Sequence, residues 1–146
     1  MCSSRQLQRA RTASVAVLFC AAVIAPACGG GDSALPGPSP TATVETFSGT
    51  VAPGGSSFHS FSVSVAGNVE VTLTEAGPPP TIYMGLAVGS VSGTDCVPAV
   101  GAAIQAQAGA TAQLFGAAGV GQYCVVVFDV GNQAASVTYS VKVSHF

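Results

Sequence analysis

At 146 residues the chain has the length of one domain of ordinary size, and an apolar fraction of 49% excludes disorder driven by low hydrophobicity. Only 7% of its residues are charged, against about 25% in a typical soluble domain, and Ser, Thr, Gly, Asn and Gln take their place. Arg5, Arg9 and Arg11 hold three of the four bases, so beyond them Lys142 alone faces six acids, a formal charge of −5; this excludes a nucleic-acid partner, which needs clustered Lys and Arg against its phosphates.

Residues 1–27 have the layout of an export signal. The three arginines form a basic start without acids, and residues 13–25 (ASVAVLFCAAVIA) form an apolar stretch. That stretch falls short of the roughly 20 apolar residues a membrane-spanning helix needs. Ala25-Pro26-Ala27 then precedes Cys28. Small residues before a Cys resemble the lipobox of bacterial lipoproteins, with Ala25 where that family usually has Leu. The resemblance implies diacylglycerol on the Cys28 thiol, cleavage before Cys28 and acylation of the new amine, with palmitate as the expected chain. The same triplet fits the A-x-A rule of plain secretion, with the cut at the same bond and a free thiol left behind. Lipidation is the expected outcome, because an exposed reactive thiol otherwise lacks a purpose.

Of the five cysteines, Cys2 and Cys20 leave with the leader and Cys28 takes lipid. The remaining pair, Cys96 and Cys124, is expected to form a disulfide in an oxidising compartment. Zinc is not expected, since the two have neither CxxC spacing nor a nearby His. Residues 28–43 are rich in Gly, Ser and Pro and read as a tether.

From residue 44 to 146 the hydrophobic period is two. Phe61, Val63 and Val65 alternate with Ser, Gly67-Asn68 marks a turn, and Val69, Val71 and Leu73 alternate with Glu70, Thr72 and Thr74. Three prolines at 78–80 end this hairpin, and Ile82, Met84, Leu86 and Val88 begin the next strand. Residues 97–118 are Ala- and Gly-rich. Residues 104–107 and 111–114 each suit a short strand; a helix is tolerated by the Ala content but opposed at length by Gly101, Gly109 and Gly116. Residues 121–130 (GQYCVVVFDV) are apolar on both parities and suit a central strand covered on both faces, and Val137, Tyr139, Val141 and Val143 alternate to the end. About seven or eight short strands with Gly/Pro turns predict an all-β fold, a small antiparallel β-sandwich. Its expected core is Phe47, Phe61, Val63 and Val65, Val69, Val71 and Leu73, Ile82, Met84 and Leu86, Val125 and Val127, and Val137, Tyr139 and Val141.

The blocks FSGTVAPGGSSFHSFSV, GNVEVTLTEAGPP, GQYCVVVFDVGN and VTYSVKV, within residues 47–143, resemble the bacterial pre-peptidase C-terminal domain. That resemblance implies a jelly-roll-like sandwich. In the family the domain trails a secreted peptidase and is cleaved off or helps bind substrate. Here a leader and tether stand ahead of it, so a role in peptidase secretion is not carried over. Some relatives bind calcium through clustered acids near the start of the domain, where this chain has only Glu45, and that site is not carried over either.

Chemistry is sparse. His59 shares strand parity with Phe61 and is expected at the core's edge; His145 is next to last and is expected to fray. Glu45, Glu70, Glu75 and Asp95 are scattered and make no evident acid–base pair. The glycines at 29–31 and 54–55 precede neither a helix nor a Lys and form no phosphate loop. Asp129, before Gly131-Asn132, is expected to close an Asx-type turn, with calcium held by Asp129, Asn132 and backbone carbonyls as the weaker alternative. The expectation is a non-catalytic, cofactor-free module, lipid-anchored in the cell envelope at the outer membrane or cell surface. It binds a polysaccharide or a protein, or else it is a structural lipoprotein that assembles with other envelope proteins. An exposed row of aromatics would favour sugar; a bare sheet edge or apolar patch would favour protein.

Overall fold

Alternating apolar and polar side chains, cut by Gly and Pro turns, give eight strands: β1 (Thr43–Val51), β2 (Ser56–Val63), β3 (Gly67–Gly77), β4 (Met84–Ser92), β5 (Asp95–Ala106), β6 (Leu114–Ala118), β7 (Gly121–Asp129) and β8 (Val137–His145). The computed structural model describes residue 37 and residues 39–146, among which there is no helix. The leader, Cys28 and most of the tether lie outside the described residues. The strands form two antiparallel four-stranded sheets, ordered β1-β8-β3-β6 and β2-β7-β4-β5. This is the strand order of a jelly-roll sandwich.

Each strand sends one parity inward, and the two inner faces share one core. Val69, Val71, Leu73, Val137, Tyr139, Val141 and Val143 come from the first sheet, and Phe61, Val63, Met84, Leu86, Val125 and Val127 from the second. Phe47 is half-buried against this cluster. Val65 departs from expectation and is exposed. β2 ends at Val63, after which the Ser64 and Val65 N–H groups both donate to the Phe146 carbonyl, so the chain turns and parity no longer governs.

β7 lies between β2 and β4, and Cys124 through Val127 are buried on both faces, as the run of apolar residues requires. On the outer face Cys124 pairs across the ladder with Gly89, while Cys96 of β5 pairs with Val91. The Cys96–Cys124 disulfide, with Cα atoms 5.9 Å apart, therefore ties β7 to β5 across β4. Gly89 is required there, because a Cβ would collide with the Val97 carbonyl of β5. A disulfide places the domain in an oxidising, extracytoplasmic setting.

The Ala/Gly-rich region holds two strands: the expected strand at 104–107 is the end of a longer β5, whereas the one expected at 111–114 is strand only at Leu114. β5 runs through Asp95–Ala106 with residues 99–102 bulged out of the ladder, Gly101 at φ 77°. Residues 111–113 are not strand. Gln113 instead fastens the connection to β3: its Oε1 accepts the Leu73 N–H at 2.7 Å, and its backbone N–H donates to the Val71 carbonyl at 3.0 Å. Strand β6 begins only at Leu114.

The registers fix two ends. The start of β1, the end of β8, and the β2–β3, β4–β5 and β6–β7 turns lie at one end; the β1–β2, β3–β4 and β7–β8 turns lie at the other.

Candidate functional site

Asp129 ends β7 and does close a turn. Its Oδ1 accepts N–H bonds from Gly131 at 2.8 Å, Asn132 at 3.1 Å and Gln133 at 3.3 Å, and its Oδ2 accepts from Gly54 at 2.7 Å. Gly54 and Gly131 sit at φ 70° and 87°, where glycine is favoured. The carboxylate thus joins the β1–β2 turn to the β7–β8 turn. The Gly54 N–H first, then those of residues 131–133, hold its pKa below the ordinary value. Four converging N–H donors suit an anion. Asn132 contributes its backbone N–H to this arrangement rather than an oxygen ligand, which counts against a calcium site. No cluster of three or more His, Cys, Asp or Glu suited to a metal occurs among the described residues.

The two histidines lie on the β1–β2 side. His59 stacks on Phe47, with centroids 4.9 Å apart, and its Nε2 is 2.7 Å from the Tyr139 hydroxyl. Burial lowers the His59 pKa and raises that of Tyr139, which favours the neutral forms of both rings in this hydrogen bond. His145 does not fray. It is the last residue of β8, paired with Thr43, only 3% exposed, and its Nε2 lies 2.9 Å from Glu45 Oε1. Its ring also lies 5.3 Å from that of Phe61. These contacts bind β1, β2 and β8 together. They close one flank of the sandwich with aromatic packing and hydrogen bonds, and among the described residues no acid hydrogen-bonds His59. Glu70, Glu75 and Asp95 stand on β3 and at the start of β5.

The opposite flank is open. There β6 and β5 are the edge strands of the two sheets, and between them lies a cleft of about 300 Å³. Val69 and Leu114 line it from one sheet and Val88, Tyr123, Ala99 and Ala102 from the other. Gly116 sits between Leu114 and Ala118 on the inward parity, and nothing lies within 4 Å of where its Cβ would be. The cleft exists because Gly116, Ala118 and the alanines of the β5 bulge are too small to fill the space between the sheets. Around it Phe115 is 76% exposed and Val100 fully so. Residues 96–128, which supply most of this flank, contain no charged side chain. Edge strands are ordinarily guarded by Lys, Pro or a bulge. The bulge and Pro98 guard β5, whereas β6 (LFGAA) has no such guard.

This flank is not evident from the sequence alone. The charge-free run was a visible signal, but nothing in it shows that Gly116 faces the bulge of β5. The large exposed aromatics Phe58, Tyr83 and Phe115 stand on β2, in the β3–β4 connection and on β6, and so form no single row.

The fold and this flank together define a small all-β jelly-roll module with an apolar, uncharged edge. No protein-family model matches the chain, and no curated protein matches it.

Proposed function

We propose that this protein is a non-catalytic binding module of the cell envelope, exported, acylated at Cys28, and engaging a protein partner along its β5–β6 flank. The observation that carries the reading is the unguarded, uncharged β6 edge beside an apolar cleft. An extended segment of a partner adds a strand to such an edge through main-chain hydrogen bonds, and one apolar side chain seated in the cleft supplies selectivity. This favours assembly with an envelope protein over polysaccharide binding, for which a row of exposed aromatics would be the expected device. The arrangement of acids and histidines supports the non-catalytic part of the reading: His59 is committed to Tyr139, Glu45 to His145, and Asp129 to backbone N–H groups. The resemblance to the pre-peptidase C-terminal domain belongs to the same proposal, since the sandwich that family implies is the architecture of this chain.

The test is site-specific photocrosslinking in the native envelope. A photoreactive residue at Ala117, exposed on β6, should yield a discrete protein adduct. The same residue at Ser48, exposed on the opposite edge strand β1, should not. Equal adducts at both sites, or none at either, would refute a β6-side partner.

A further inference from the structure

Singly exposed apolar side chains are ordinary on protein surfaces, but here their placement is uneven. Val44, Val65, Val97, Phe115 and Val120 are between 44% and 76% exposed, and the registers put all five at or near one end of the sandwich. Val65 is in the β2–β3 turn and Val120 in the β6–β7 turn. Val44 is next to the first residue of β1, Val97 is close to the β4–β5 turn, and Phe115 pairs with Glu70 near the start of β3. Tyr83 stands at the other end, Phe58 lies along β2, and Val100 lies in the bulge midway along β5. The end that gathers the valines is also the end where the chain joins β1, at Thr43. Cys28 precedes Thr43 by fifteen residues, a span of at most on the order of 50 Å even when fully extended.

We propose that this end of the sandwich, with Val65 and Val120 at its tip, rests on the lipid surface in which Cys28 is anchored; the inference depends on the acylation proposed above. An acyl chain on Cys28 keeps the start of β1, at this end, on a short leash from the bilayer. A lipid interface accepts scattered apolar side chains without demanding shape complementarity. The carboxylates at this end are Asp95, Glu70 and Glu45, the last bound to His145. Lys142 is the only Lys or Arg in the domain. The three acids outnumber Lys142, so this end carries net negative charge, and contact is stronger with zwitterionic than with anionic lipid, whose headgroups repel it.

The chain contains no tryptophan, so one introduced Trp reports its own surroundings. The acylated full chain carrying Val120→Trp, with Val65→Trp as a second probe and Tyr83→Trp as the far-end control, is placed in phosphatidylcholine vesicles containing brominated lipid. The tip probes should be quenched by roughly twofold with blue-shifted emission, and the far-end probe should be unaffected. Adding phosphatidylglycerol should reduce the tip quenching. Quenching of neither end, or of both equally, overturns the proposal. Intact mass on the same sample separates this from failure of the anchor: acyl chains present without tip quenching sinks the surface contact alone. If the sample proves unacylated, the anchor reading falls, and the Val120→Trp signal with added vesicles still decides the tip.

Discussion

Replacing both disulfide cysteines with alanine is the sharpest perturbation of the fold. Cys96 and Cys124 are separated by 28 residues, and closing a loop of that length restricts the unfolded chain by about 3.5 kcal/mol in the chain-entropy model. For a domain of this size each kcal/mol moves the melting midpoint by about 4–8 °C, so the double Ala variant should melt about 15–25 °C lower. Alanine matters at 124, because Cys124 is fully buried. A serine hydroxyl there without a partner would add a desolvation cost of about 1–3 kcal/mol. Cys96→Ala/Cys124→Ser should therefore be less stable than the double Ala variant. Far-UV circular dichroism melts and urea titrations on oxidised wild type and both variants measure this. The urea slope should rise in the variants, since the released chain exposes more surface on unfolding. A double Ala variant within about 1 kcal/mol of wild type would refute the view that this bond supplies much of the stability of a small core.

Gly116→Val should stabilise the fold by about 1–2 kcal/mol in urea titration, since it removes a flexible strand glycine and buries methyl groups in the open cleft; it should also weaken partner capture, and a destabilised variant would mean the cleft is not open. Because burial sets the folded pKa of His59 below the ordinary 6.5, the unfolded chain takes the proton first; stability is full above pH 6.5 and declines as pH falls through it, and His59→Phe should flatten that part of a melting-midpoint profile. Asp129, whose pKa is lowered from 3.8, should produce a separate loss at more acid pH that disappears in Asp129→Asn. Cys28→Ala should leave the envelope membrane fraction and appear as free exported protein, with retention on the membrane as the result that speaks against acylation.

Most of the sandwich was legible because one parity of each strand is buried, and burial on one face leaves period two in the sequence. The run of valines in β7 likewise marks a central strand covered on both faces, and the structure sets it between β2 and β4. Period two is informative only while the strand lasts, however. Val65 continues the alternation of β2 by one step after the ladder has ended, and parity misplaced it. His145 was misjudged for the opposite reason: chain ends fray by default, but β8 extends to it and β1 supplies Glu45, a partnership between residues 100 positions apart. Asp129 was legible because an Asx turn is local, though its bond to Gly54 was not. The cleft could not be read at all. It is made by small side chains at Gly116 and Ala118 facing a bulge in another sheet, and a missing side chain leaves no periodic mark.

Amide hydrogen exchange of β6 in the native envelope, compared with the isolated protein, tests the binding-module reading most directly. A partner strand on this edge should slow exchange at residues 114–118 while leaving the other edge strand, β1, unchanged. Identical exchange at residues 114–118 in both settings would contradict the claim that β6 is a docking edge.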